Sequence, residues 1–199
     1  MPRRYDSSRR RKAAERTRHD ILQAALRLHW DGVTEFEPLA RAAGCSPATI
    51  RKHFPTKEDL YRSCTRIFGE SLELPDLAAL SATKDDGDRL DSCVSELCRI
   101  HEAMFGYAWH SAHLRQDSAV LDSVMADYEK LADAIAGIVI DEGAANAPAV
   151  RSLLDFLTYR AMRLSGGLSP EETRSALVHL ISTLSISQLP ERPERGARP

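Results

Sequence analysis

Apolar residues along this chain recur at three- and four-residue steps and nowhere alternate, which predicts helices throughout and no sheet. The stretch RRKAAERTRHDILQAALRLHWDG sets Ile21, Leu22, Ala25 and Leu28 on one helical face. Two short helices follow within residues 36–60, and a fourth runs from Lys57 to about Leu74, where Pro75 stops it. Residues 76–87 read as a loop ending in Lys84-Asp85-Asp86-Gly87. Asp88 to about His110 carries Leu90, Val94, Leu97, His101, Met104 and Ala108 at helical spacing, and residues 111–117 form a short helix or turn. Ser118 to Asp141 repeats the pattern with Leu121, Val124, Tyr128, Leu131, Ile135 and Ile138, and Gly143 ends it. One helix then extends from Asn146-Ala147-Pro148 to Gly166-Gly167. Ser169-Pro170-Glu171-Glu172 caps the last, which runs to about Ser187. The expectation is an all-α protein of about nine helices, with no internal repeat.

Residues 36–60, FEPLARAAGCSPATIRKHFPTKEDL, hold the densest local signals. Ala40 and Gly44 share a helical face, so a small side chain lets the next helix cross closely. Gly44 can take a positive φ without steric penalty. Ser46 is an N-cap, and Pro47 at the first helical position gives up no helical bond. Ile50 anchors this second helix and leaves Ala48, Thr49, Lys52 and His53 facing outward. Phe54-Pro55 ends it, and Thr56 with Asp59 three residues later makes an imperfect capping box. Helix, sharp turn and helix in this order form the layout that places a second helix in the DNA major groove.

Charge sharpens that reading. The chain of 199 residues has a net charge of −2, but residues 1–62 hold 14 Lys and Arg against 8 acids, and residues 63–199 hold 13 against 21. The basic part is the part with the turn, and the rest repels polyanions. Arg3, Arg4, Arg9, Arg10, Arg11, Lys12, Arg16 and Arg18 crowd the start of the chain. They form either a solvated tail or an arm that meets phosphates or enters the minor groove. No run of about 18 apolar residues predicts a membrane span, and no apolar segment follows the basic start as in a secretory signal. Cys45, Cys64, Cys93 and Cys98 lack metal or disulfide-framework spacing and read as reduced, mostly buried thiols; Cys93 with Cys98 is the one conceivable redox pair.

From about Arg11 to Leu60 the sequence resembles the TetR family of bacterial transcriptional repressors, most specifically over SPATIRKHFPTKEDL. Beyond residue 62 the resemblance is to size and helical pattern only. It implies an N-terminal three-helix helix-turn-helix DNA-binding domain followed by a larger α-helical ligand-binding and dimerisation domain. The expected organisation is a basic disordered arm over 1–12, the DNA-binding domain over 13–62, the effector and dimerisation domain over 63–189 and a disordered tail over 190–199. Two positions depart from the family. Arg51 stands where an aromatic, commonly Tyr, reaches a phosphate, and arginine can do the same with charge added. Pro38 falls in the second helix, where an interior proline costs roughly 3 kcal/mol, so that helix is expected to start near Thr34 to Glu37.

The family match carries site residues with it. Ser46 and Pro47 open the recognition helix at the DNA. Ala48 and Thr49 are the candidates for base edges, with Thr49 suited to a thymine methyl or a hydrogen bond. Lys52 reads guanine or binds phosphate. Thr34, Arg51, His53 and Lys57 are the phosphate contacts, with a half-buried packing role as the alternative for His53. The resemblance also implies a dimer through the last two helices and a ligand cavity between about residues 88 and 165. The candidates there are His101, Phe105, Trp109, His110, Tyr128, Phe156 and Tyr159, though aromatics at helical spacing are also what a plain core contains. His110 and His113 are three apart, but no acid or cysteine completes a metal set, and no cofactor is implied.

The implied protein is a cytoplasmic, sequence-specific transcription regulator, a repressor released from a palindromic operator by a small, largely hydrophobic ligand. Its partners are double-stranded DNA and a second copy of itself, with no membrane. A DNA-binding dimer without any small-molecule effector is the first rival. An all-α enzyme is the second, and it has neither a nucleophile, phosphate-loop nor metalloprotease motif nor a reason for the segregated charge.

Overall fold

The computed structural model describes residues 7–186, and within them the chain is all helical. In chain order the helices are α1 (Ser7–Trp30), α2 (Phe36–Ala42), α3 (Pro47–His53), α4 (Lys57–Ser71), α5 (Leu77–Ala82), α6 (Asp86–Ala103), α7 (Phe105–Leu114), α8 (Ala119–Val139), α9 (Ala147–Leu153), α10 (Phe156–Leu164) and α11 (Pro170–Ile186). A 3-10 turn, Arg115–Asp117, precedes α8. The chain divides into two compact units. One contains the residues up to 73 with 105–126, and the other 74–104 with the residues from 127 onward.

In the first unit, Ile21, Leu22, Ala25, Phe36, Leu39, Ala40, Ile50, Phe54, Leu60 and Cys64 close one core, with Leu28 partly buried against it. Residues 7–12 correct the expected disordered arm, because α1 already begins at Ser7. Helix propagation is cheap once a packed turn exists, and Ala13, Ala14 and the Arg11–Glu15 pair (3.7 Å) favour it. Residues 1–6 of that arm, and the tail expected over 190–199, lie outside the described residues.

The helix expected from Asp88 to about His110 is two helices, with Met104 as the C-cap of α6. Gly106 follows at once, and a Cβ there would sit 2.3 Å from the Trp30 carbonyl oxygen. The bare Cα lets α7 lie directly against the end of α1. Tyr107 fixes the contact by donating to the Leu26 carbonyl at 2.8 Å and meeting the Trp30 ring edge-on at 5.3 Å.

In the second unit, α5 replaces the expected loop because Asp76 caps it, accepting from the Ala78 and Ala79 amides at 3.0 Å. The helix expected from residue 146 to 166 also divides. Asp155 accepts from the Leu157 amide at 2.7 Å and starts α10, while Leu154 closes α9. No described helix is long and apolar enough to cross a membrane.

Candidate nucleic-acid interface

The turn that follows α2 is made by Gly44, at φ +65°, with open space where a Cβ would stand. The requirement is purely conformational: a β-carbon fits the space but not the backbone. Pro38 is the third residue of α2, within the first turn, where its missing N–H costs little. Ser46 then caps α3: its hydroxyl accepts from the Thr49 amide at 3.1 Å and lies 2.9 Å from the Thr49 hydroxyl. Pro47 occupies the first helical position. Ile50 and Phe54, both fully buried, fasten the inner side of α3 to the core. Thr56 and Asp59 form a complete capping box for α4, with both bonds at 3.1 Å. The Thr56 hydroxyl is the first cause of an Asp59 carboxyl held below its usual range.

This frame sets out the expected DNA contacts. Ser46, Ala48, Arg51 and Lys52 are exposed, and Pro47, Thr49, His53, Lys57 and Thr34 are half-buried. Thr34 sits in the loop just before α2. The Thr49 hydroxyl is engaged with the Ser46 hydroxyl. Arg51 leans over the Phe36 ring, 5.5 Å from its centre, a cation–π placement for a guanidinium on the outer side of α3.

Lys57 was expected to meet a phosphate. In the free protein its ammonium holds the Glu35 carboxylate at 2.6 Å. Glu35 is the N-cap residue of α2 and makes no side-chain cap bond, since its carboxylate is directed to Lys57. The pair is exposed, so it contributes at most about 1 kcal/mol and yields readily to a phosphate. Glu35→Gln is expected to tighten binding to any duplex roughly threefold, and Lys57→Ala to weaken it everywhere and flatten the salt slope by about one unit. Fluorescence anisotropy across a salt series measures both; an unchanged slope for Lys57→Ala would remove it from the interface. Glu35 escaped sequence reasoning because nothing local ties a loop acid to a lysine 22 residues on.

Of the ligand candidates, four come together inside the second unit. His101, 1% exposed, lies among Tyr128, Phe156 and Tyr159, with ring centres at 5.9, 5.8 and 5.4 Å. Its Nε2 is 3.0 Å from the Leu154 carbonyl, which can only accept, so Nε2 carries the proton. Nδ1 then accepts from the Tyr128 hydroxyl at 2.5 Å. Burial pushes the imidazole down to about 4. Tyr159 donates to Glu102 at 2.6 Å, and Arg163 grips the same carboxylate with Nε at 3.1 Å and Nη2 at 3.0 Å. Phe105, Trp109 and His110 belong to α7 and thus to the first unit, half-buried there. The expected helix from Asp88 to about His110 had put His101, Phe105, Trp109 and His110 on one element; the break at Met104 leaves His101 on α6 and the other three on α7. His113 Nδ1 lies 2.7 Å from the Trp109 carbonyl of its own helix.

A glycine turn between two seven-residue helices, the second capped, anchored inside and cationic outside, is the helix-turn-helix layout of DNA-binding regulators. Residues 21–64 match the family described as bacterial regulatory proteins, tetR family. In fold the chain is similar to a transcriptional regulator from Rhodococcus sp. Rha1, with a TM-score of 0.52 and 21% identity over 89% of this chain and 98% of that one. No curated protein matches the chain.

Proposed function

We propose that the protein is a dimeric repressor that reads a palindromic operator and leaves it when a small, largely hydrophobic ligand binds its body. Residues 13–62 serve as the head, 63–189 as the body, and the cytoplasm is its place of action. The observation that carries the reading is the outer side of α3, where Ala48, Thr49, Arg51 and Lys52 stand on a capped turn with Lys57 beside them. A two-fold dimer sets two such helices about one DNA turn apart. Selection of bound duplexes from a randomised pool is expected to return a palindrome; no enrichment over bulk DNA would overturn the proposal.

Support for the dimer comes from α10 and α11. Leu157, Ala161 and Leu164 are all exposed and follow one another along a single face of α10, with Leu157 at 59% and Leu164 at 56%. On α11, Leu180 is 42% exposed, whereas Leu177 and Ile181 face the core. Two turns of exposed leucine are what a partner surface covers. Replacing Leu157 and Leu164 together by Glu is expected to give a monomer at micromolar concentration by light scattering. The selected duplex is then bound roughly a hundredfold more weakly, because the second head no longer adds to the first. A dimer that persists in this variant would place the interface elsewhere.

One observation favours a second reading, a DNA-binding dimer without an effector. His101, Tyr128 and Tyr159 direct their polar atoms to neighbours inside the second unit; His101 and Tyr128 pack ring against ring with Phe156, and Tyr159 packs on His101. Challenge of the protein–duplex complex with a panel of hydrophobic small molecules separates the two readings. Release by one member supports the ligand-responsive repressor, and a complex indifferent to all supports the rival.

A further inference from the structure

Arg18 belongs by sequence to the basic run at the start of the chain, where each cation looks like a phosphate contact. Its side chain goes elsewhere. Nη1 donates to the His53 carbonyl at 3.3 Å, at the last residue of the recognition helix. Nη2 donates to the Ser63 hydroxyl at 2.9 Å. The Ser63 hydroxyl donates its own proton to the Asp59 carbonyl at 3.0 Å, so toward Arg18 its oxygen is an acceptor. The guanidinium plane also covers the Phe54 ring, 4.3 Å from its centre.

These contacts meet at the chain reversal between α3 and α4. The recognition helix has only seven residues, too few to hold an orientation by its own bonds. Its N-terminal end is fixed by Ser46, and its inner side by Ile50 and Phe54. Its C-terminal end presents carbonyls with a partial negative charge, and its own cations, Arg51 and Lys52, lie on the last turn. The fixed charge at that end is Arg18, delivered from α1. One planar fork thus ties α1 to the end of α3 and to α4, and its other face holds down the aromatic that ends the recognition helix.

We infer that Arg18 is a positioning residue for DNA reading, which sets the angle of the recognition helix and touches no phosphate itself. The inference rests on the reading of α3 as a DNA-recognition helix. Base contacts tolerate little angular error, whereas phosphate contacts by flexible cations tolerate more. Loss of the fork therefore lowers the affinity for the right sequence and leaves attraction to any duplex in place. Lysine keeps the charge but cannot make the two-armed, stacked contact.

The test uses the full-length protein, the duplex that the wild type enriches from a randomised pool, and a scrambled duplex of the same length. Arg18→Lys and Arg18→Gln are both expected to lose roughly ten- to a hundredfold on the enriched duplex. On the scrambled one they change less than about twofold, with the salt slope unaltered. Ser63→Ala, which removes one acceptor and no charge, is expected to move the same ratio in the same direction and keeps the inference open to refutation should the Arg18 variants fail to fold. A phosphate-contact role would show instead as an Arg18→Lys variant close to wild type, and an Arg18→Gln variant weakened equally on both duplexes with its slope lower by about one unit. That outcome, or an unchanged ratio in the folded variants, overturns the inference. A wild type that enriches no duplex overturns the DNA-recognition reading, and the inference with it.

Discussion

His101→Ala is expected to cost about 3–5 kcal/mol in urea unfolding. Truncation leaves a void among Tyr128, Phe156 and Tyr159, and it also strands the Leu154 carbonyl and the Tyr128 hydroxyl. His101→Phe refills most of the space and isolates the second effect, so it should still cost about 2 kcal/mol, of which an added Tyr128→Phe returns part. The same residue shapes the response to acid. His101 is held at about 4 in the fold and titrates near 6.5 when unfolded. A lowered pKa means that the unfolded chain takes the proton first. The stabilisation is therefore complete above pH 6.5 and drains away between 6.5 and 4. His29 adds to it: burial first, then Lys57, bring it to about 4, and its Nε2 is buried without a hydrogen-bond partner. Together they predict a loss of roughly 2 kcal/mol per pH unit near pH 5.5, about halved in His101→Phe. An undiminished slope in that variant would show that His101 is not the titrating group.

Gly106→Ala should be damaging for a one-carbon addition. The new Cβ meets the Trp30 carbonyl oxygen at 2.3 Å and the indole at 2.7 Å, and the first of these is backbone that has no rotamer to escape into. Either α7 or the end of α1 must move, which weakens the Tyr107–Leu26 bond, for an expected loss of about 1–3 kcal/mol. Gly137→Ala provides the control. It lies within α8 with nothing inside 4 Å of the added carbon, and should gain up to about 1 kcal/mol from helix propensity. Thermal melts of the two variants moving in the same direction would refute the packing argument.

The contrast between these glycines explains what could be read from the sequence. Gly44, Ser46, Pro47, Thr56 and Asp59 act on backbone within a few residues of themselves, so the turn, both caps and the extent of α3 were legible. So was the charged outer side of α3, because Ile50 and Phe54 leave only one way for it to face. Gly106 acts on Trp30, 76 positions away in the chain, and its reason is invisible until α7 meets α1. Asp155 hid in an apolar stripe that kept its helical period across the break, and Asp76 hid in a segment that looked like loop. Arg18 was read with the basic run and Lys57 as a phosphate contact, since sequence records their charge but not the carbonyl or the carboxylate that receives it.

The turn between α2 and α3 also carries a chemical handle. Of the four cysteines, Cys64, Cys93 and Cys98 are buried, and burial pushes the Cys64 and Cys98 thiols up to about 12, where almost no thiolate exists to react. Cys45 alone is partly open to solvent, directly between Gly44 and the Ser46 cap. A maleimide dye added to the native protein should therefore couple at a single site. That site stands one residue from the Ser46 cap of α3, so on the proposed reading of α3 its emission is expected to change when a duplex binds, without any engineered cysteine.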